Sequence, residues 1–316
     1  MIPKSGNRFS DKIMLDLKNN SSTVERWPGC SDRVEQRDDV PAVQVGRAAT
    51  AHLVAEHAGG RTILRRQHVP YPFHLTRGFH LDDSRPDLLT LYMQSASGGL
   101  YAHDRMGIEL AVEAGAALHL TTQAATVVRD GKEVGAHQRQ AIRVGAGGFC
   151  AMIGEPYILF PNAGLRLETT ACVADDAVFL LADGFAVHDP RGRGACFAAF
   201  ESHVRIERPD GTTILRDGGR VHGDELAQSY GPLGGFAACA TMMVIAPRAR
   251  VPDAAVLQDA VDDVGCLAGV CAAPFDAGLV LRLLAPDGGT LARGLEAAFH
   301  AASRAALGFE LARRRK

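Results

Sequence analysis

Three stretches of this 316-residue chain repeat one plan. "VEAGAALHL" (112–120), "VGAGGFCAM" (144–152) and "VADDAVFLL" (173–181) each run from a valine through a tight turn of small or acidic residues into an apolar strand. Their starts lie 32 and 29 residues apart. Repetition at such a period marks a unit that buries its apolar face against its neighbours. It predicts stacked hairpin layers around a common core. "DLLTLYMQ" (87–94), "GIELAV" (107–112) and "LRLETTACV" (165–173) also read as strands, bounded by Gly, Asp and Pro turns.

Helix signals are confined to the C-terminal part. In "PDAAVLQDAVDDVG" (252–265), Asp253 is placed to cap. Val256, Leu257, Ala260, Val261 and Val264 fall on one face, and Gly265 ends the segment. "TLARGLEAAFHAASRAALG" (290–308) repeats the pattern from Thr290 as cap through Leu291, Leu295, Phe299 and Ala302. The expected fold is therefore mainly β, a layered, β-sandwich-like arrangement of stacked hairpins with two helices near the C-terminus. A hydrophobic content of 47% suffices for the core of a single domain over residues 41–316.

Residues 1–40 differ in composition. Three of the five lysines (Lys4, Lys12, Lys18) and the lone tryptophan, Trp27, lie there, and no apolar periodicity does. The segment reads as a flexible extension outside the fold. A net charge of −2 offers no concentrated basic surface for nucleic acid. No apolar run approaches the ~20 residues that cross a bilayer. Seven cysteines without close-set pairs suit a reducing compartment. The expectation is a cytoplasmic protein.

The motifs of several enzyme classes are missing: no phosphate-binding Gly-Lys-Ser/Thr loop, no Gly-x-Ser-x-Gly elbow, no Cys-x-x-Cys or His-Glu-x-x-His pattern. Three groups merit attention. His52, His57, His68, His74 and His80 fall within 29 residues, and imidazole suits nickel, copper and zinc, but their spacing matches no ligand set. In "GGLYAHDRMG" (98–107), Asp104 follows a glycine turn, where a carboxylate accepts backbone N–H bonds. In "GFAVHDPRGRG" (184–194), His188 and Asp189 precede a proline and read as a turn. One strand stands apart: "LTTQAATVVRD" (120–130) begins with nine uncharged residues and sets Thr121, Thr122 and Gln123 among small apolar side chains. A half-buried strand would alternate apolar with charged residues.

The segment "YMQSASGGLYAHDRMGIELAVEAGAALHLTTQAATVVRD" (92–130) resembles the signature region of the UreD (UreH) family of urease accessory proteins. The similarity extends through "QHVPYPFHLTRGF" upstream and "GEPYILFPNAGLRLET" downstream, over about residues 48–310. His103 and Gly154 depart from the family pattern, as does "HDPRGRGACFAAFE" (188–201). The resemblance implies a layered β fold and an assembly role rather than an enzyme's. It implies binding to the urease apoprotein and to UreF, which recruits the GTPase UreG, and assistance in placing nickel in the urease active site. No tightly bound cofactor follows from it, only nickel in transit along an internal polar path, for which Asp104, Thr121, Thr122, Gln123 and His188 are the candidates. Hydroxyls and amides bond a cation's hydration water without trapping the ion. The same hydroxyls would equally satisfy buried backbone groups. The competing reading is a metal-dependent β-sandwich enzyme using the N-terminal histidine cluster.

Deleting residues 1–40 should move the melting temperature by no more than about a degree or two. A thermal scan showing a large drop would place the segment in the core.

Overall fold

The computed structural model describes residues 46–131, 134–226 and 233–314; the predicted extension 1–40 lies outside them. The chain begins with strands β1 (Ala48–Ala58), β2 (Arg61–His68), β3 (Phe73–Leu75), β4 (Leu88–Ser95), β5 (Arg105–Val112) and β6 (Ala117–Thr122). It continues through β7 (Val127–Val128), β8 (Ala136–Val144), β9 (Phe149–Ile153), β10 (Tyr157–Leu159), β11 (Gly164–Val173) and β12 (Val178–Val187). After β13 (Ala199–Glu207), β14 (Thr213–His222) and β15 (Ala238–Ile245) come helix α1 (Ala254–Asp262), β16 (Leu267–Ala272), β17 (Gly278–Ala285) and helix α2 (Gly288–Leu307). The fold is mainly β, with its two longer helices where the sequence places them.

Two sheets face each other across the core. One has seven strands in the order β14-β13-β11-β8-β5-β1-β2. The other has ten, along β16-β17-β15-β12-β9-β6-β4-β3, with β10 beside β12 and β7 beside β10. The repeated plan is the corner between them. Val112, Val144 and Val173 end β5, β8 and β11 in the first sheet, and the strand after each turn lies in the second. Layers form as expected, but they are not hairpins. The two strands of a layer oppose each other across the core, while β5, β8 and β11 pair in parallel with one another, as do β6, β9 and β12. The chain climbs like a flattened coil.

The corners stack because their residues permit close approach. A Cβ on Gly145 would lie 2.7 Å from the Ala114 nitrogen, so only glycine lets the second turn sit against the first. Gly147 adopts φ 63° and donates its N–H to Asp176 of the third turn at 2.9 Å. Asp176 of "VADDAVFLL" thereby holds the glycine turn before it, while its neighbour Asp175 pairs with Arg208 at 3.1 Å.

Inward residues of the coils, such as Leu110, Leu118, Ile142, Cys150 and Phe179, form one apolar cluster. The outer face of the ten-stranded sheet packs on α1 and α2 through Leu257, Val261, Leu291, Leu295 and Phe299. Asp253 caps α1, accepting from the Ala255 N–H at 3.0 Å. Val256, expected on the buried face, is 53% exposed, because residues adjacent on a helix point about 100° apart and Leu257 takes the inward position. The cap of α2 is Asp287 rather than Thr290. Its carboxylate accepts from the Thr290 N–H at 2.8 Å and from the Thr290 hydroxyl at 3.0 Å, so the helix begins three residues before the expected cap is passed. Gly308, at φ 84°, ends it.

Beyond α2 the chain doubles back as a strap. Arg314 meets Asp82 at 3.0 Å with side-chain exposures of 4% and 1%, and its Nε donates to His119 Nδ1 at 3.1 Å. Phe309 lies under the Arg85 guanidinium. Arg314→Ala should cost about 3–5 kcal/mol in denaturant unfolding, because Asp82 is left buried without its cation. The apolar pair Asp82→Leu/Arg314→Met should cost much less. Equal losses would show that the ion pair does not hold the strap.

Candidate functional site

The interior between the sheets is not uniformly apolar. Period-2 alternation carries Ala136, Gln138, Gln140, Ile142 and Val144 of β8 to one face, and Phe179, Leu181, Asp183 and Phe185 of β12 to the face opposite. One apolar cluster surrounds Leu110 and Phe179, another Leu100, Met106, Phe185 and Phe200. Between them runs a polar belt.

Register builds the belt. On the ten-stranded sheet Asp183 stands beside Thr241, and Thr241 beside Arg282. On the seven-stranded sheet Gln140 stands beside Thr169 and Leu167 beside Ser202. Ser202 donates across the gap to Asp183. Arg282 donates to Thr241 at 3.0 Å and to Asp217 at 2.5 Å, closing the belt at the β14–β17 end.

At the other end lies a cavity of about 110 Å³, room for a few water molecules. Its polar lining includes Thr121, Thr122, Gln138, Gln140, Glu155, Tyr157 and Asp183; Met93, Met106 and Met152 supply apolar wall. Asp183 is its perturbed acid. Burial pushes its pKa from the ordinary 3.8 up to about 6; the Ser202 hydrogen bond and Arg282 work downward, and Asp217 works upward. Burial likewise raises the Tyr157 phenol, Asp183 adds to the rise, and a hydrogen bond with Gln138 opposes it.

The structure gathers some of the predicted residues here and leaves others elsewhere. Thr121 donates to the Ile153 carbonyl at 2.6 Å, and Thr122 accepts from the Glu155 N–H at 2.8 Å. Both therefore satisfy backbone groups, and both line the cavity. Gln123 is exposed and bonds Gln94. His188 is exposed, its ring 4.9 Å from that of Phe160. Asp104 lies away from the cavity, 2% exposed, at the start of β5. It accepts from the Tyr101 N–H at 2.8 Å and from both the Arg47 N–H and Nε at 3.0 Å. Burial works to raise its pKa, and Arg47 with these N–H groups outweighs burial, holding the carboxyl below the usual range.

The N-terminal histidines do not converge. His52 bonds Glu109 at 2.9 Å and lies 5.9 Å from His68 between ring centres. His74 bonds Gln94, and His80 the Leu88 carbonyl. Among the described residues, no group of three His, Cys, Asp or Glu side chains is placed to hold a metal ion. The enzyme reading built on that cluster has no site there.

Gln138, Gln140 and Asp183 were not singled out from sequence. Their signal is parity: each polar residue occupies an inward position of a strand whose other inward positions are apolar.

Comparison with known proteins gives one consistent result. Residues 47–316 match the family model described as UreD urease accessory protein. Urease accessory protein UreD 3 of Bradyrhizobium sp. (strain ORS 278) is 60% identical over 271 residues, 86% of this chain and 96% of that protein. UreD 1 of Bradyrhizobium sp. (strain BTAi1) is 61% identical with the same coverage. UreD 1 of Methylorubrum populi is 42% identical over 273 residues, 86% of this chain and 93% of its own length.

Asp183 yields a prediction with a definite sign. A carboxyl whose folded pKa exceeds its unfolded one binds its proton more tightly in the native state. Wild-type stability should therefore fall as the pH rises from about 4 to about 6, and level off above. Asp183→Asn removes this loss, so its stability relative to wild type should rise by about 1–3 kcal/mol between pH 4 and pH 7. Denaturant titrations at both pH values check it; a constant difference would refute the assignment.

Proposed function

Because the chain belongs to the UreD urease accessory protein family, we propose that it binds the urease apoprotein and UreF, through which UreG joins, and helps to deliver nickel to the urease active site. It is an assembly protein rather than an enzyme. Nickel is here the cargo and not a resident cofactor.

The observation that carries the delivery role is the polar cavity within an otherwise apolar interior. A hydrated divalent cation needs acceptors for its water and some negative charge to offset desolvation. Thr122, Gln138 and Gln140 supply hydroxyl and amide groups, and Asp183 supplies the charge at neutral pH. Imidazoles and thiolates gathered at one point would hold nickel tightly. A cavity whose polar groups are mostly neutral oxygen and amide groups lets it leave.

Reconstitution tests the reading. Urease apoprotein, UreF, UreG and nickel would be combined with wild type, with Thr122→Val/Asp183→Asn, and with Gln123→Leu. The first variant should form the complex in normal yield but leave several-fold less nickel per urease. In the second, whose altered side chain is exposed and outside the cavity lining, nickel should fall only in proportion to complex yield. Normal nickel content with Thr122→Val/Asp183→Asn would remove the cavity from the delivery route.

A further inference from the structure

The two sheets differ on their outer faces. α1 and α2 cover the ten-stranded sheet, while among the described residues neither helix packs on the seven-stranded one. Yet β1, β5, β8, β11 and β13 of that sheet run parallel, an arrangement that elsewhere is almost always covered on both faces.

At the end where these strands begin, the outward side chains are strongly biased. Arg105 stands opposite His137, His137 opposite Arg166, Arg166 opposite Glu201, and Glu201 opposite Arg220. The next row adds Arg139, Glu168 and His203. Four arginines and two histidines thus share two carboxylates. Glu168 lies within 3.5 Å of Arg139, Arg166 and His137, and Glu201 meets His203 at 2.6 Å and Arg166 at 3.7 Å. Arg105 and Arg220, exposed at the two ends of the first row, have no ion-pair partner among the described residues. Like charges on adjacent strands destabilise a sheet, and this face is positive on a chain whose net charge is −2.

We infer that this end of the uncovered face docks an acidic surface of a folded protein partner, Arg105 and Arg220 pairing with its carboxylates. The inference rests on reading the chain as an assembly protein and assigns one contact to a place on it. Guanidinium forks suit carboxylates bidentately. A second copy of this chain would bring like charge against like. Nucleic acid would meet Glu168 and Glu201 interleaved with the arginines, not the continuous basic surface it requires.

The test uses the full chain with two purified probes, UreF and the urease apoprotein, at low and at about 0.3 M salt. Affinities of wild type, Arg105→Glu/Arg220→Glu and a control reversal on β2, Arg61→Glu/Arg66→Glu, would be compared. Wild-type binding to at least one probe should weaken with salt. The Arg105/Arg220 variant should lose about tenfold or more in that affinity, while the control stays within about twofold. Wild-type binding that survives the Arg105/Arg220 reversal, or falls equally in the control, overturns the surface while leaving the assembly role intact. Wild-type binding to neither probe overturns both, and preferential binding to a DNA duplex overturns the choice of a protein partner.

Discussion

Register between the parallel strands is the constraint on which this molecule depends. Side chains alternate with period 2, so slipping one strand by a residue would exchange its inner and outer sets. In β8 that slip would bring Arg139 and His137 into the core and expose Gln138 and Ile142. The corners prevent it. Val112, Val144 and Val173 end their strands at matched heights, and the stacked turns bond one another through Gly145 to the Val112 carbonyl and Ala174 to the Val144 carbonyl. A single set of local turns therefore fixes the polar belt inside and the charged rows outside.

The belt is a local expense in stability. Asp183 sits where an apolar side chain would pack between Leu181 and Phe185, and its raised pKa is the direct sign that its charge is disfavoured there. Ser202 and the nearby Arg282 offset part of that. Elsewhere the fold buries charged groups in tight pairs, among them Asp104 with Arg47 and Asp82 with Arg314. Each of those two carboxylates is bonded by a guanidinium. Asp183 is bonded by a neutral hydroxyl and remains free to change its protonation state near neutrality.

Sequence made some of this legible and left the rest hidden. The corners could be read because glycine and aspartate turn chemistry is local, and the helices because their periodicity and Asp253 cap are local too. Parallel pairing could not: a valine, a turn and an apolar strand describe a hairpin as well as a coil passing between sheets. Thr121 and Thr122 stood out as hydroxyls in an uncharged strand, and they do reach the cavity. Asp104 was legible as an acceptor of backbone N–H bonds, but its main partner, Arg47, lies 57 residues earlier and no local pattern announces it. The five histidines, whose spacing matches no ligand set, stay apart in the fold. Neighbours in sequence, they spread over β1 (His52, His57), β2 (His68), β3 (His74) and the loop before β4 (His80).

The inner and outer rows also explain each other's chemistry. Gln138 and Gln140 point inward from the same strand that sends His137 and Arg139 outward. Inside, where the dielectric is low, a full positive charge would repel a cation strongly at several ångströms, and the cavity lining contains hydroxyls, amides and carboxylates but no lysine or arginine. Outside, where water screens charge, arginines are tolerable and useful for partner contact. Arg282 is where the two regimes meet. It reaches from the end of the belt to Asp217 and is 60% exposed, so solvent carries most of its charge. On the proposed reading, a cation held in the cavity meets neutral donors and the carboxylates of Glu155 and Asp183 there, and a guanidinium at the belt's far end. Such an interior favours brief residence over storage, which is what a protein that hands its cargo to another must provide.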